Sequence, residues 1–279
     1  MFVKIIRYGL AIAAFVAIAA ACLGALFVYS GVYNVAATSP HRQVVYWLLQ
    51  TTAVRSIRSR ARDIAVPDLS QPAAIARGLV LFDKNCVLCH GAPGVSPDDF
   101  AKGLEPAAPP LAQTAREWPV QDIYWAIRHG IKMTAMPAWE YRMDDDDLWA
   151  MVAFLRVLPT LSPAEYRAMI EARSATGEQA RDAPPRPGDP ERGKIAFHQY
   201  ACNMCHETPG VSGPKALLGP PLESMTKRPY LAGALLNTPE NMLRWIRHPQ
   251  EVNPLTAMPD VGVTEQHARD IAAFLYTLR

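Results

Sequence analysis

The chain has 279 residues, enough for one to three domains. Its 28 basic and 26 acidic residues leave a net charge of +2, and neither half carries the concentrated basic surface that nucleic acid requires, so nucleic acid is excluded as a partner. With 25 Pro, 16 Gly and few alternating β-branched runs, the composition points to helices joined by extended Pro-rich loops, not to sheets.

Lys4 and Arg7 precede a stretch from Tyr8 to Pro40 without a charge, apolar through about Val32. A span needs about 20 apolar residues, so residues 1–35 read as a single transmembrane anchor. A cleaved secretory signal is the competing reading, although its apolar core would normally run only about 7–15 residues. Lipidation at Cys22, behind Ala19-Ala20-Ala21, is the third, and the apolar run from Leu23 to Tyr29 argues against it. Lys4 and Arg7 put the N-terminus on the inside.

Residues 41–66 form an amphipathic juxtamembrane segment in which Val44, Val45, Tyr46, Trp47, Leu48, Leu49, Val54 and Ile57 give way to Arg55, Arg58, Arg60 and Arg62. Three roles fit it: a helix at the membrane surface, a docking element for an integral membrane partner, or a solvated basic linker.

The chemistry lies further on. Cys86-Val87-Leu88-Cys89-His90 recurs 116 residues later as Cys202-Asn203-Met204-Cys205-His206. Two thiols this far apart add to the vinyl groups of one haem, and the following His sits under the iron: the c-type haem attachment signal. Cys86, Cys89, Cys202 and Cys205 are thus the attachment residues of two haem c groups, with His90 and His206 as proximal ligands. Zinc would want four N/S ligands, and the one Cys left over, Cys22, lies in the apolar run.

The flanks repeat as well. A helix from Pro72 to Asn85 delivers Cys86, and a helix capped by Asp189, with Pro190 at its first position and ending near Tyr200, delivers Cys202. Arg77-Gly78-x-x-x-Phe82 matches Arg192-Gly193-x-x-x-Phe197; Gly there allows another helix to approach the backbone closely, with the aromatic on the same face. The partners are the closing helices around Met151 and Phe154 and around Ile271 and Phe274. The repeat gives two domains, 72–160 and 189–279, with a linker over 161–188 that is Pro- and Gly-rich from Ala175 onward and preceded by one short helix in 161–173. Asp144 to Asp147 are acidic first-turn residues of a helix, placed for its dipole.

The second axial position needs a loop over the other haem face. Thr-Ala-Met-Pro occurs in both halves and selects Met136 and Met258 as the metal ligands. Met133 is the fallback in the first half, and His129 and His248 are the remaining axial alternatives. Pro109 and Pro220, matched in Pro-Pro-Leu, offer carbonyls to the proximal His rings. Trp125, Arg128, Trp139, Trp245 and Arg247 are candidates for haem propionates.

Each half therefore resembles a class I cytochrome c, and the whole resembles a membrane-anchored dihaem cytochrome c of the bacterial respiratory chain. Domain one departs in Ala108, where the family commonly has Gly before the Pro. The resemblance implies an all-α fold, an N-terminal transmembrane helix followed by two class I cytochrome c domains, each around a mostly buried haem with one exposed edge. It implies an electron carrier, not an enzyme, at the bacterial inner membrane with its haem domains in the periplasm. Electrons would run from a quinol-oxidising complex or periplasmic dehydrogenase to a terminal oxidase. A fixed subunit of a larger oxidase or dehydrogenase complex is the alternative, and a dihaem peroxidase, which needs an open sixth position on one iron, is the third reading.

Overall fold

The computed structural model describes residues 2–174, 186–214 and 218–278. It is helical, and a two-residue antiparallel pair, β1 (Tyr230–Leu231) with β2 (Leu235–Leu236), is the sole sheet among the described residues. The all-α expectation holds.

Helix α1 spans Phe2–Ser30, and its Ile6–Ser30 stretch has the length and composition to cross a membrane. At about 1.5 Å per residue it exceeds the hydrocarbon thickness of a bilayer. Helix α2 (Gln43–Ala61) follows, and its polarity is graded along the axis more than around it. Val44, Tyr46, Trp47, Leu48 and Leu49 are all exposed, so the first turns show apolar groups on every face. The second half packs on α6 (Val120–His129) through buried Ile57 and Ala61, with Arg58 3.6 Å from buried Asp122. Burial pushes the Asp122 carboxyl up and Arg58 pulls it back. Ile57, grouped by sequence with the apolar tip, belongs instead to the first domain's surface.

The first domain is built on the crossing of α3 (Pro72–Asn85) and α7 (Asp145–Val157). A Cβ placed on Gly78 would lie 2.0 Å from the Ala150 carbonyl oxygen, so only Gly allows this approach. Phe82 meets Phe154 at 5.2 Å between ring centroids. Arg77 pairs with Asp147 across the same crossing, and the Asp144 carboxylate accepts the Asp147 backbone N–H at 2.9 Å as the α7 cap. Helix α5 (Leu111–Glu117) and α6 cover the flank, where Tyr124 stacks on Trp149 at 4.0 Å. Helix α8 (Pro163–Ser174) corrects the assignment of 161–188 as linker: its Tyr166 is 2% exposed, sits edge-on to Phe82 and donates to Asp83 at 2.9 Å. The linker therefore begins after α8, and residues 175–185, which hold Gly177, Pro184 and Pro185, lie outside the described residues.

The second domain repeats the plan with α9 (Pro190–Gln199) and α12 (Glu265–Leu275). Asp189 caps α9 by accepting the Glu191 and Arg192 backbone N–H groups at 2.8 and 3.2 Å. A Cβ on Gly193 would lie 1.8 Å from the Asp270 carbonyl oxygen, and Phe197 packs on Phe274 at 5.9 Å. The buried Asp270 carboxylate accepts the Asp189 backbone N–H at 2.8 Å and faces Arg192 at 3.7 Å. Helix α10 (Pro239–Arg247) adds buried Met242 and Ile246, and the one-turn α11 (Pro249–Val252) follows it.

The two domains touch. Buried Tyr141 meets buried His267 with ring centroids 6.3 Å apart, and the Arg142 guanidinium lies 5.7 Å from the Tyr200 ring centroid. The Tyr200 hydroxyl donates to His267 Nδ1 at 2.9 Å. Burial pushes the His267 imidazole down from 6.5 to about 4; Asp270 works against this, and Arg142 and Arg192 with it. Between those values the unfolded chain binds more protons than the folded protein, so stability falls as pH falls, by about 3 kcal/mol at most. Denaturant unfolding at pH steps across this window is expected to show a steeper loss in the wild type than in His267→Gln, which cannot take up the proton.

Candidate haem sites

Both pentads close a helical turn, an α turn in the first and a 3-10 turn over Cys202–Met204 in the second. In the first, the one-turn helix α4 (Val87–His90) follows α3 directly, and the His90 N–H donates to the Cys86 carbonyl at 2.9 Å. In the second, the His206 N–H donates to the Cys202 carbonyl, also at 2.9 Å. A helical turn puts residues three and four apart on one side, which brings both thiols and the ring together. Burial pushes the Cys86 thiol up to about 12 and the Cys202 thiol up to about 11, while Cys89 and Cys205 are half-buried. Cys86 Sγ lies 3.9 Å from Met151 Sδ on the closing helix.

The ring of each motif His is fixed through Nδ1. His90 Nδ1–H donates to the Pro109 carbonyl at 2.7 Å, and His206 Nδ1–H donates to that of Pro220 at 2.9 Å. This bond selects the tautomer with a free Nε2 and raises its basicity. Burial pushes the His90 imidazole below its ordinary value, with the Pro109 bond working the other way, so it stays neutral near pH 7. A Cβ on Gly219 would lie 2.5 Å from His206 Cε1, so the loop passes closer to the ring here than where Ala108 occupies the matching place.

The Thr-Ala-Met-Pro loops share one device. Thr134 Oγ accepts the Met136 N–H at 3.1 Å, and Thr256 Oγ accepts the Met258 N–H at 3.2 Å. The first loop is closed by the Ile131 N–H donating to the Met136 carbonyl at 3.1 Å, around Gly130, where a Cβ would be 2.6 Å from Pro137. Gln250 donates to the Met258 carbonyl at 2.5 Å. Met136 packs against the core cluster that contains Cys86, and Met258 is half-buried. Met133, by contrast, is 96% exposed.

The histidine alternatives are otherwise engaged. His129 faces Glu140 at 3.3 Å and Trp125 at 4.8 Å, and His248 faces Asp260 at 3.7 Å. Burial alone would raise the Glu140 carboxyl, but His129, Arg128 and Tyr141 bring it down to about 2. Arg128, a propionate candidate by sequence, is held by Glu140 at 3.0 Å, Asp145 at 2.9 Å and the Tyr124 hydroxyl at 2.7 Å. Trp139 and Arg247 behave differently: Nε1 of one and Nε of the other are buried donors without an acceptor among the described residues.

Comparison with known proteins matches this duplication. The family "Cytochrome C oxidase, cbb3-type, subunit III" covers residues 73–155, and the family "Cytochrome c" covers residues 190–279. The chain is 31% identical to Cytochrome c oxidase subunit 2 of Alkalihalophilus pseudofirmus over 125 residues, 44% of this chain but 34% of that protein. It spans only about a third of that relative's length. It is also 31% identical to Cytochrome c2 of Rhodopila globiformis over 106 residues, which is 33% of this chain and 96% of that cytochrome. The chain belongs to the cytochrome c family. With its two domains and N-terminal apolar helix it fits a membrane-anchored dihaem cytochrome c.

Cytochrome c domains imply electron transfer through covalently bound haem c, and the pairs Cys86/Cys89 and Cys202/Cys205 fit its attachment. The residues of this cytochrome suit the group on structural grounds as well. A buried donor without an acceptor costs stability, and the carboxylates of a haem have the chemistry to satisfy Trp139 Nε1 and Arg247 Nε. Sequence reading had both among its candidates; it missed Thr134 and Thr256, although the repeated Thr was in plain view.

Proposed function

We propose that this cytochrome is a relay between membrane redox complexes, taking electrons from a quinol-oxidising complex or a periplasmic dehydrogenase and passing them to a terminal oxidase. The observation that carries the reading is the matched pair of sites: a ring fixed by a Pro carbonyl and a Met loop tied by its own Thr, once in each domain. Haem c, when bound, supplies an iron that takes and gives one electron. His90 and Met136 would hold the iron in the first domain, and His206 and Met258 in the second. Cys86, Cys89, Cys202 and Cys205 fix the group covalently; Trp139 and Arg247 anchor its carboxylates. Thioether ligation raises the reduction potential relative to a second His, which suits a donor to an oxidase.

Optical spectra test this. Both haems are expected to be low-spin, to show the weak methionine–ferric band, and to ignore carbon monoxide in the ferrous state. One high-spin or carbon-monoxide-binding haem would overturn the ligand set and reopen the peroxidase reading.

The exposed apolar tip of α2 supports a membrane role beyond the anchor. Residues 31–42 join it to α1, and a helix end apolar on every face is embedded, not laid flat. With α1 as a retained single pass and Lys4 and Arg7 inside, the haem domains lie in the periplasm, and α2 pins the first of them to the bilayer. Nitroxides placed singly at positions 44–49 of the Cys22→Ser protein in lipid nanodiscs are expected to be oxygen-accessible on every face. Positions 55 and 59 should be water-accessible. If 44–49 are all water-accessible, the tip serves a protein partner, and the fixed-subunit reading gains: copurification with a large complex in mild detergent would then follow.

A further inference from the structure

Between the domains lies a set of contacts that the haem sites themselves do not require. Arg142 stands where the two halves meet: its guanidinium carbon is 5.9 Å from the Trp139 ring centroid in its own domain and 5.7 Å from the Tyr200 ring centroid in the other. Trp139 follows Met136 by three residues, and its buried Nε1 lacks an acceptor, the donor suited to the first haem's carboxylate. Tyr200 precedes Cys202 by two residues, so it stands at the second haem's attachment. A second run of contacts converges on the same Tyr: Tyr141 against His267, and His267 accepting from the Tyr200 hydroxyl at 2.9 Å. The other charges acting here are Arg192 and Arg128, near Tyr141, Glu140, bonded to the Tyr141 hydroxyl, and Asp270, near His267.

We propose that Trp139, Arg142 and Tyr200 form the bridge for electron transfer between the two haem sites, with Arg142 as the positioning residue that holds it closed. The inference rests on the relay reading above. The step moves one electron from the ferrous iron of one haem to the ferric iron of the other; no bond forms or breaks and no proton is transferred. Electron transfer slows steeply with distance and with each gap between packed groups, so a linker of Pro-rich composition alone would leave the rate to chance encounters of the domains. A cation bound to an aromatic ring on each side of the seam fixes the separation without burying a charge, since Arg142 stays exposed to water. Its guanidinium is also anchored locally, by Nη1 donating to the Ala138 carbonyl at 3.4 Å.

The test uses the full-length holoprotein in detergent. A photochemical reductant injects fewer than one electron per molecule, and spectra follow redistribution between the haems; redox titration of the same samples gives each haem's potential. The wild type is expected to show a redistribution phase independent of protein concentration. Arg142→Ala should slow that phase about tenfold by releasing both ring contacts, with unchanged haem spectra and potentials and a larger radius of gyration by small-angle scattering. Arg142→Lys, which keeps the cation, should recover part of the rate and the compact radius. An unchanged phase in Arg142→Ala overturns the bridge and leaves the relay standing. A slowed phase explained entirely by shifted potentials overturns it too. Absence of any concentration-independent phase in the wild type overturns the relay reading itself.

Discussion

Replacing Gly193 with Ala is expected to destabilise the second domain by about 3 kcal/mol or more. The new Cβ would sit 1.8 Å from the Asp270 carbonyl oxygen and 2.4 Å from its carbon, and both belong to the backbone of α12. No side chain can swing away to relieve this, so α9 and α12 must separate. Ala is the better helix former by about 1 kcal/mol, and that gain works against the loss without matching it. Separation also lifts the Phe197–Phe274 contact and the Arg192–Asp270 pair, which lie across the same crossing. Because α9 runs directly into Cys202, the displaced helix carries the haem attachment with it. Guanidinium unfolding of the holoprotein should resolve an early transition for the second domain. Gly78→Ala should move the first domain instead, its Cβ being 2.0 Å from the Ala150 carbonyl oxygen. An unshifted transition in both variants would mean that the crossings relax freely and that the Gly pair is not what sets them.

What was legible in the sequence was what the chain writes locally and writes twice. The pentads, the Pro-opened helices with Gly and Phe on one face, and the Thr-Ala-Met-Pro loops each fit within about a dozen residues. Duplication then separated pattern from accident: a single Met before Pro says little, and two at matching places in matching domains say much. The duplication also marks where the halves diverge. Arg77 pairs with Asp147, but Arg192 pairs with Asp270, one turn further along α12. His267 thereby stands free of that pair and turns to Tyr200 and Tyr141.

The seam was illegible for the converse reason. Tyr141, Arg142, Tyr200 and His267 are brought together from positions far apart in the chain, and none of them repeats between the halves or falls in a motif. The short helix in 161–173 was legible, but its attachment to the first domain was not: Tyr166 meets Phe82 and Asp83, and Met169 and Ile170 pack against the same core. Arg128 was a propionate candidate by residue type, and only three-dimensional packing shows Glu140, Asp145 and Tyr124 already holding it on α6. In α2 the residue types were clear, but helical periodicity describes faces around an axis, and here the contrast runs from one end to the other.

Truncating the proposed axial sulfurs should have the largest effect on the haems and the smallest on the fold. In Met136→Ala the Thr134 hydroxyl still accepts the residue's N–H, and the Ile131 bond to its carbonyl still closes the loop around Gly130. In Met258→Ala the Thr256 and Gln250 bonds likewise persist, because both involve the main chain. The main-chain frame of each loop is therefore kept; what is lost is the side chain, which at Met136 also packs against the core cluster. Each variant is expected to turn one haem of the two high-spin and carbon-monoxide-binding, to halve the methionine–ferric band, and to lower the potential of that haem alone. Met133→Ala should be silent, since that side chain is 96% exposed. A silent Met136→Ala with an altered Met133→Ala would reverse the assignment in the first domain, and a silent Met258→Ala would remove it in the second. Because each variant moves one of the two wild-type potentials, the pair also assigns each potential to its domain. Electrons run to the higher potential, so the same titration tells whether the first domain is where they enter or where they leave.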